Sequence, residues 1–144
     1  MISEIMYNPT NRPDGRELEF IEIYNSNPWS ENIGGYRVSG EIDYTFPAGT
    51  TITALGYLVV APVPADVQTA YGITGVLGGF TNRLSNGSGL LRLRDRSDSV
   101  LAEVNYSDEP PFPASADGAG HSLVLARPSY GEGSAMAWAA SDWR

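Results

Sequence analysis

The stretch Glu19-Phe20-Ile21-Glu22-Ile23-Tyr24-Asn25 decides the fold class, because it has the pattern of a half-buried β-strand. β-branched and aromatic residues alternate with acids at period two, and turn-forming residues flank the stretch. Ile21 and Ile23 then lie on one face, while Glu22 lies between two aromatic side chains on the other. We expect the two isoleucines in the core and Glu22 at least partly covered.

Similar stretches follow one another along the chain at short intervals. We predict β-strands over residues 2–8, 18–25, 32–38, 44–46, 50–52, 56–61, 90–94, 100–106 and 122–126. The strand at 56–61 is nearly all apolar, which predicts burial on both of its faces. Pro64 and Gly72 bound the one helix-like segment, near residues 64–71.

These elements predict an all-β fold. We expect an immunoglobulin-like antiparallel β-sandwich of about nine short strands with one short helix near residues 64–71. A barrel is the alternative architecture. We expect Trp138 to pack back on the sandwich and Trp143 to lie in a frayed end.

Length, charge and cysteine content limit the classes of function. The chain has 144 residues, which suits a single domain over residues 1–144. The absence of cysteine excludes disulfides, thiolate metal sites and cysteine nucleophiles. The net charge of −8 repels phosphates, so we expect no nucleic-acid partner. No run of about eighteen apolar residues is present, so we expect no membrane insertion.

The sequence offers little for catalysis. His121 is the only histidine, it precedes a predicted strand, and the chain has no Gly-x-Ser-x-Gly elbow. Glu19 and Glu22 point to opposite faces of one strand, and no second catalytic group is evident on the face of Glu22. We expect Glu22 to accept hydrogen bonds from a neighbouring loop, with an arginine as its partner. We therefore predict no catalytic residue, no cofactor and no enzymatic activity.

Two charged groups have both a functional and a structural interpretation. Asp43, Asp95 and Asp98 suggest calcium, but their spacing is not that of an EF-hand, and a hairpin turn uses the same residue types. We predict no metal site. Arg92, Arg94 and Arg96 fit the solvated side of a strand, although they are also the one place where an anionic partner could dock.

The candidate ligand-binding residues are Trp29, Tyr106, Asp108 and Phe112. The last three belong to a proline-rich stretch that combines aromatics and acids, as carbohydrate- and peptide-binding modules do. In the structural alternative, Phe112 plugs the edge of the sandwich and Trp29 caps the end of the core.

Eight stretches occur in an order typical of one family. They are Ile2-Ser3-Glu4-Ile5-Met6-Tyr7-Asn8-Pro9, Glu19-Phe20-Ile21-Glu22-Ile23-Tyr24-Asn25, Ile33-Gly34-Gly35-Tyr36, Phe46-Pro47-Ala48-Gly49-Thr50-Thr51, Gly56-Tyr57-Leu58-Val59-Val60, Leu84-Ser85-Asn86-Gly87, Leu91-Arg92-Leu93-Arg94-Asp95 and Asp117-Gly118-Ala119-Gly120-His121-Ser122-Leu123. Together they resemble the lamin tail domain in its bacterial form. The resemblance implies an immunoglobulin-like sandwich without catalytic activity.

The resemblance also implies a role. We expect an interaction or attachment module of a bacterial cell-surface or secreted multidomain protein, with a protein, an envelope component or a glycan as its partner. Met1 leads directly into Ile2 without a signal peptide, which indicates either a cytosolic protein or a module of a larger exported one. We expect the second, with an extracellular or cell-surface location and a monomeric isolated domain. The alternative is a carbohydrate-binding module, which an exposed row formed by Trp29, Tyr106 and Phe112 would favour.

Overall fold

The computed structural model describes residues 1–7, 17–113, 116 and 122–141, which form twelve strands and one α-helix. The strands are β1 (Ile2–Met6), β2 (Phe20–Tyr24), β3 (Glu31–Asn32), β4 (Arg37–Gly40), β5 (Tyr44–Thr45), β6 (Thr51–Ile52), β7 (Tyr57–Ala61), β8 (Leu77–Gly78), β9 (Ser88–Arg94), β10 (Val100–Ser107), β11 (Leu123–Leu125) and β12 (Trp138–Ala140). The helix α1 spans Pro64–Tyr71, as predicted, and short 3-10 helices span Pro128–Tyr130 and Ala135–Ala137.

Two sheets pack against each other around one main core. The six-stranded sheet has the order β12-β11-β1-β2-β7-β8, and the four-stranded sheet has the order β10-β9-β4-β5. Strands β3 and β6 form a small separate ribbon. Strand pairs are antiparallel except for β7 with β8. Fully buried side chains such as Ile5 and Val60 from one sheet and Leu91 and Val104 from the other fill the core. This is the immunoglobulin-like β-sandwich that the sequence predicts.

Strand β2 lies between β1 and β7, near the middle of the larger sheet. Ile21 and Ile23 are 0% and 3% exposed, which confirms their place in the core. On the opposite, outer face, α1 covers Phe20, whose ring contacts the ring of Tyr71 edge-on at a centroid distance of 5.9 Å. Among the described elements, the helix therefore covers the outer face at the Phe20 end of β2.

Two predicted strands differ from the observed ones. The strand predicted at 32–38 is divided into β3 and β4, because Gly35 has a φ of +82° and the N–H of Tyr36 turns back to the carbonyl of Ile33. The strand predicted at 56–61 is not buried on both faces, since Tyr57 is 61% exposed where the outer face is uncovered.

The tail contains more order than the sequence predicts. Strand β12 pairs antiparallel with β11 and adds an edge to the larger sheet. Trp138 is 3% exposed within the core, as expected, and its indole N–H donates to the carbonyl of Glu132 at 3.0 Å. Trp143 lies outside the described residues.

Candidate functional site

The four predicted ligand-binding residues have different environments. The Trp29 side chain is 58% exposed, and its indole N–H donates to Glu31 Oε1 at 2.7 Å. Tyr106 is fully buried, its ring contacts that of Tyr7 at 4.8 Å, and its hydroxyl donates to the carbonyl of Ser85 at 2.7 Å. Asp108 and Phe112 are half-buried, and Phe112 packs against the core as the plug interpretation predicts.

These four residues do not form one surface. Trp29 is hydrogen-bonded to Glu31, and Glu31 lines a hollow together with Leu101. Leu101 lies near the start of β10, whereas Tyr106 lies near its end. Five residues of extended strand separate Leu101 from Tyr106 by about 16 Å. The exposed aromatic row that would have favoured a carbohydrate-binding module is not formed, because the alternation along β10 turns Ala102, Val104 and Tyr106 inward.

The loops around Trp29 are organised by Asn25, which directly follows β2. Asn25 is 6% exposed, and its amide nitrogen donates to the carbonyls of Trp29, Ile52 and Thr53 at 2.8, 3.2 and 3.1 Å. Its amide oxygen accepts the N–H of Asn27 at 3.1 Å. One buried side chain therefore fixes two loops, which makes this end of the sandwich rigid.

Large apolar side chains are exposed at this rigid end. Trp29, Leu55 and Leu101 are 58%, 57% and 54% exposed. The N–H of Leu55 donates to the carbonyl of Asn27, and both Asn27 and Leu101 line a hollow of about 170 Å³. Its other walls are mainly core side chains: Ile23, Ile33, Ile52 and Leu93. We call Trp29, Leu55, Leu101 and this hollow the apolar end.

A second candidate site lies on the uncovered outer face of the six-stranded sheet. Glu4 of β1 and Glu22 of β2 are directly opposite each other in the antiparallel register. Ser122 donates its hydroxyl to Glu4 Oε1 at 2.5 Å, and Ser3 donates to Glu22 Oε1 at 2.9 Å. Along the described chain, no arginine forms an ion pair with either carboxylate. We call Glu4, Glu22 and the neighbouring Tyr57 the acidic face.

The environment favours the protonated form of both acids. Burial raises the pKa of Glu4 to about 7, with the negative charge of Glu22 acting in the same direction and the Ser122 hydrogen bond opposing it. Burial also raises the pKa of Glu22, and the hydrogen bond from Ser3 opposes that rise. The pair therefore carries negative charge that is costly to hold and that a cation would stabilise.

A second acid lies on the face of Glu22, and it comes from the neighbouring strand β1 and not from β2 itself. The expected hydrogen-bond donor of Glu22 was wrong. Its hydrogen-bond donor is Ser3 of β1, and not a loop or an arginine. Alternation from Ile5 places Glu4 on the outer face, but a bulge between Ile2 and Glu4 breaks the alternation of β1 and hides this signal in the sequence.

Glu19, and not Glu22, accepts a hydrogen bond from a neighbouring loop and lies beside an arginine. Glu19 is 6% exposed, and its Oε1 accepts the N–H of Leu84 at 2.9 Å. Arg83 lies beside its Oε2 at 3.6 Å and also forms an ion pair with Glu17. Burial raises the pKa of Glu19, while the Leu84 hydrogen bond lowers it. Glu19 thus ties the start of β2 to the loop before β9.

The arginines on the four-stranded sheet are already paired. Arg92 Nε lies 2.9 Å from Glu103 Oε2, and Arg94 donates to Ser39 and to the carbonyl of Asp98. Arg96 donates to the carbonyls of Gly34 and Asn32, each at 2.6 Å, and its guanidinium lies 5.1 Å from the Tyr36 ring centroid. The hypothesis of an open anion-binding face here is therefore not supported.

The three aspartates that suggested calcium are used in other ways. Asp95 accepts the N–H groups of Ser97 and Ser99 at 2.8 and 3.0 Å, which is the hairpin role predicted as the alternative. Asp43 pairs with Arg37, which lowers the pKa of Asp43 through their hydrogen bond. Within the described ranges, no three Asp, Glu or His side chains are grouped as metal ligands. His121 lies outside those ranges.

The family model of the lamin tail domain matches residues 1–108, which include β1 to β10, the apolar end and both acids of the acidic face. The chain belongs to the lamin tail domain family. Lamin tail domains are immunoglobulin-like interaction modules without enzymatic activity, as the resemblance implies. No curated protein matches this lamin tail domain. None of the helices in the described part of the chain is long and apolar enough to cross a membrane.

Proposed function

We propose that this lamin tail domain is a noncatalytic attachment module of a bacterial cell-surface or secreted multidomain protein. It mediates protein–protein or cell-envelope contacts, and the isolated domain is a monomer. The observation that carries the proposal is the apolar end, where Leu101 lines a hollow formed by core residues and Trp29 and Leu55 are exposed on the neighbouring loops.

The apolar end has the features of a protein-binding surface. Single exposed apolar residues are ordinary on proteins, but three large ones at the same end, next to a hollow lined by core residues, indicate an interface. A hollow of about 170 Å³ suits one apolar side chain of a partner, since such anchors in well-packed pockets dominate binding energy. Glu31, which accepts hydrogen bonds from Trp29 and Asn27, supplies a polar rim.

Rigidity supports the same conclusion. The four hydrogen bonds of Asn25 hold both loops that border the hollow, so little conformational entropy is lost when a partner binds. A preformed surface of this kind fits an attachment role, in which stable contact is the whole function.

The test compares binding by the wild-type domain and by the Trp29→Ser/Leu101→Ser variant. Cell-surface extract is passed over each immobilised protein, and the affinity of each captured protein is then measured separately. We expect the variant to bind its partner at least about tenfold more weakly, because it loses two exposed apolar anchors. Met136→Ser is the matched control, since Met136 is 56% exposed in another part of the chain. Equal affinity of wild type and variant for every captured protein would contradict the proposal.

The location is tested separately. The full-length protein is tagged and the producing cells are fractionated. We expect the tag in the envelope or the medium, and a tag found only in the cytosol would contradict the proposed location. Light scattering of the isolated domain checks that it is a monomer.

A further inference from the structure

The acidic face occupies the half of the outer sheet surface that α1 does not cover. The helix packs over Phe20 and Met6, whereas Glu4 and Glu22 lie one step further along β1 and β2. Tyr57 lies beyond them on β7 and is 61% exposed. Among the described helices, α1 reaches this half only at its border, where it shares a hollow with both acids.

The two carboxylates divide this face into two hollows. One hollow, of about 510 Å³, is lined by both acids together with Ser3, Tyr57 and Val124. The other, of about 470 Å³, is lined by the same two acids together with apolar side chains of β2, β7 and α1 and with Ile73 just after the helix: Phe20, Val59, Val67, Ala70, Tyr71 and Ile73. A group that enters either hollow reaches both acids, and apolar walls are available for its uncharged part.

The negative charges of Glu4 and Glu22 would be stabilised by a bound cation. Like charges directly opposite on neighbouring strands destabilise a sheet, and both of these carboxylates are partly withdrawn from water. Their only hydrogen-bond donors among the described side chains are the hydroxyls of Ser3 and Ser122. A positive group from outside would therefore gain charge-assisted hydrogen bonds to two acceptors at once.

The position of Tyr57 favours an arginine guanidinium over a lysine ammonium group as this cation. Glu22 is opposite Val59 and Tyr24 is opposite Tyr57, so Tyr57 is a diagonal neighbour of Glu22 on the same face. Its ring is held against that of Tyr24 at 4.8 Å. A planar guanidinium stacks on an exposed tyrosine ring and bonds to carboxylates through a fork of donors, which the compact ammonium of lysine does not do.

We propose that the acidic face binds an arginine side chain of a protein partner. The guanidinium lies between Glu4 and Glu22 and against Tyr57, and its aliphatic part lies on the apolar wall of the hollow. This inference rests on the proposed function only in that a protein supplies the arginine. The surface is different from the apolar end, so each can be tested without the other.

The experiment is a titration of the isotopically labelled domain, followed by its amide NMR signals. The probe is the peptide acetyl-Leu-Arg-Leu-amide, with citrulline in place of arginine as the neutral isostere and lysine as the second comparison. We expect saturable shifts in β1, β2 and β7. We also expect affinity for the arginine peptide at least about tenfold above the citrulline peptide and about threefold above the lysine peptide.

Variants separate the acidic face from general electrostatics. Glu22→Gln and Glu4→Gln should each weaken arginine binding about tenfold, and Tyr57→Leu about threefold. Glu109→Gln removes the same charge from an exposed position elsewhere and should leave the affinity unchanged. The Trp29→Ser/Leu101→Ser variant should bind the arginine peptide like the wild type, since it alters only the apolar end.

Three results would each overturn the inference. They are the absence of saturable shifts with the arginine peptide, equal binding of the arginine and citrulline peptides, and equal weakening by Glu109→Gln and Glu22→Gln. If any of these occurs while the Trp29→Ser/Leu101→Ser variant still binds the captured partner more weakly than the wild type, the arginine site is wrong and the proposed function is still supported.

Discussion

On the outer face of the four-stranded sheet, each arginine lies beside an acid: Arg37 beside Asp43, Arg92 beside Glu103, and Arg94 beside Asp98. On the outer face of the six-stranded sheet, Glu4 lies beside Glu22, and the described chain brings no arginine to them. Both faces have charged residues on neighbouring strands. The first face balances its charges internally, whereas the second leaves a negative charge that a partner can use.

The largest effect on the free energy of unfolding is expected for Arg96, at the edge of the four-stranded sheet. Arg96→Ala should lower the free energy of unfolding by about 2 kcal/mol, because the guanidinium donates to two carbonyls and packs over Tyr36. Chemical denaturation measures the change. Arg96→Lys is the control that keeps the charge, and it should recover less than half of the loss. A loss below about 0.5 kcal/mol for Arg96→Ala would show that these contacts contribute little to stability.

An intermediate effect of opposite sign is expected on the acidic face. Glu22→Gln should raise the free energy of unfolding at pH 8 by about 1 kcal/mol, because it removes one of two adjacent charges and keeps an acceptor for Ser3. Glu22→Ala should be less stable than Glu22→Gln, since it also loses that acceptor. If the two variants have the same melting temperature, the hydrogen bond from Ser3 has no structural role.

The smallest effect on stability is expected for an exposed ion pair on the outer face of the four-stranded sheet. Arg92 and Glu103 have side-chain exposures of 35% and 48%. A double-mutant cycle with Arg92→Ala and Glu103→Ala should give a coupling of about 0.5 kcal/mol or less, and high salt should reduce it. A coupling above about 1 kcal/mol would mean that the balance of this face contributes more to the fold than exposed pairs usually do.

Local pattern was enough to predict much of the fold. The alternation in residues 19–25 placed Ile21 and Ile23 in the core, and Pro64 with Gly72 correctly bounded α1. Both signals depend on neighbouring residues only. The glycines in residues 32–38 indicated a bend or bulge, but the pattern did not show that the positive φ of Gly35 divides this predicted strand into two.

The sites depended on contacts between distant residues. Glu4 meets Glu22 only because β1 pairs with β2 in one particular register, which no single stretch of sequence specifies. Tyr106 is a polar aromatic in a proline-rich region, yet the alternation of β10 turns it into the core. Glu19 and Glu22 have similar sequence surroundings, and the Leu84 N–H across the fold gives Glu19 the loop-holding role.

The pH dependence of the free energy of unfolding tests whether the unpaired negative charges of Glu4 and Glu22 destabilise the fold. The pKa of Glu4 rises from its ordinary value of 4.5 to about 7 on folding. The folded protein therefore holds a proton between these values that the unfolded chain releases, so this stability is fully present below pH 4.5 and is lost as the pH rises through 7. Glu4 faces Glu22 of β2 and Ser122 beside β11, and Tyr57 of β7 shares its hollow. The lowered pKa of the Met1 amino group acts in the opposite direction, but equally in all variants.

The decisive measurement is the free energy of unfolding of the wild type and of Glu4→Gln/Glu22→Gln at pH 5 and at pH 8. We expect the wild type to lose about 1–2 kcal/mol more than the double variant over this range, because only the wild type must ionise two adjacent carboxylates. Parallel pH profiles for the two proteins, or a wild type that gains stability relative to the variant as the pH rises, would contradict the account of the acidic face.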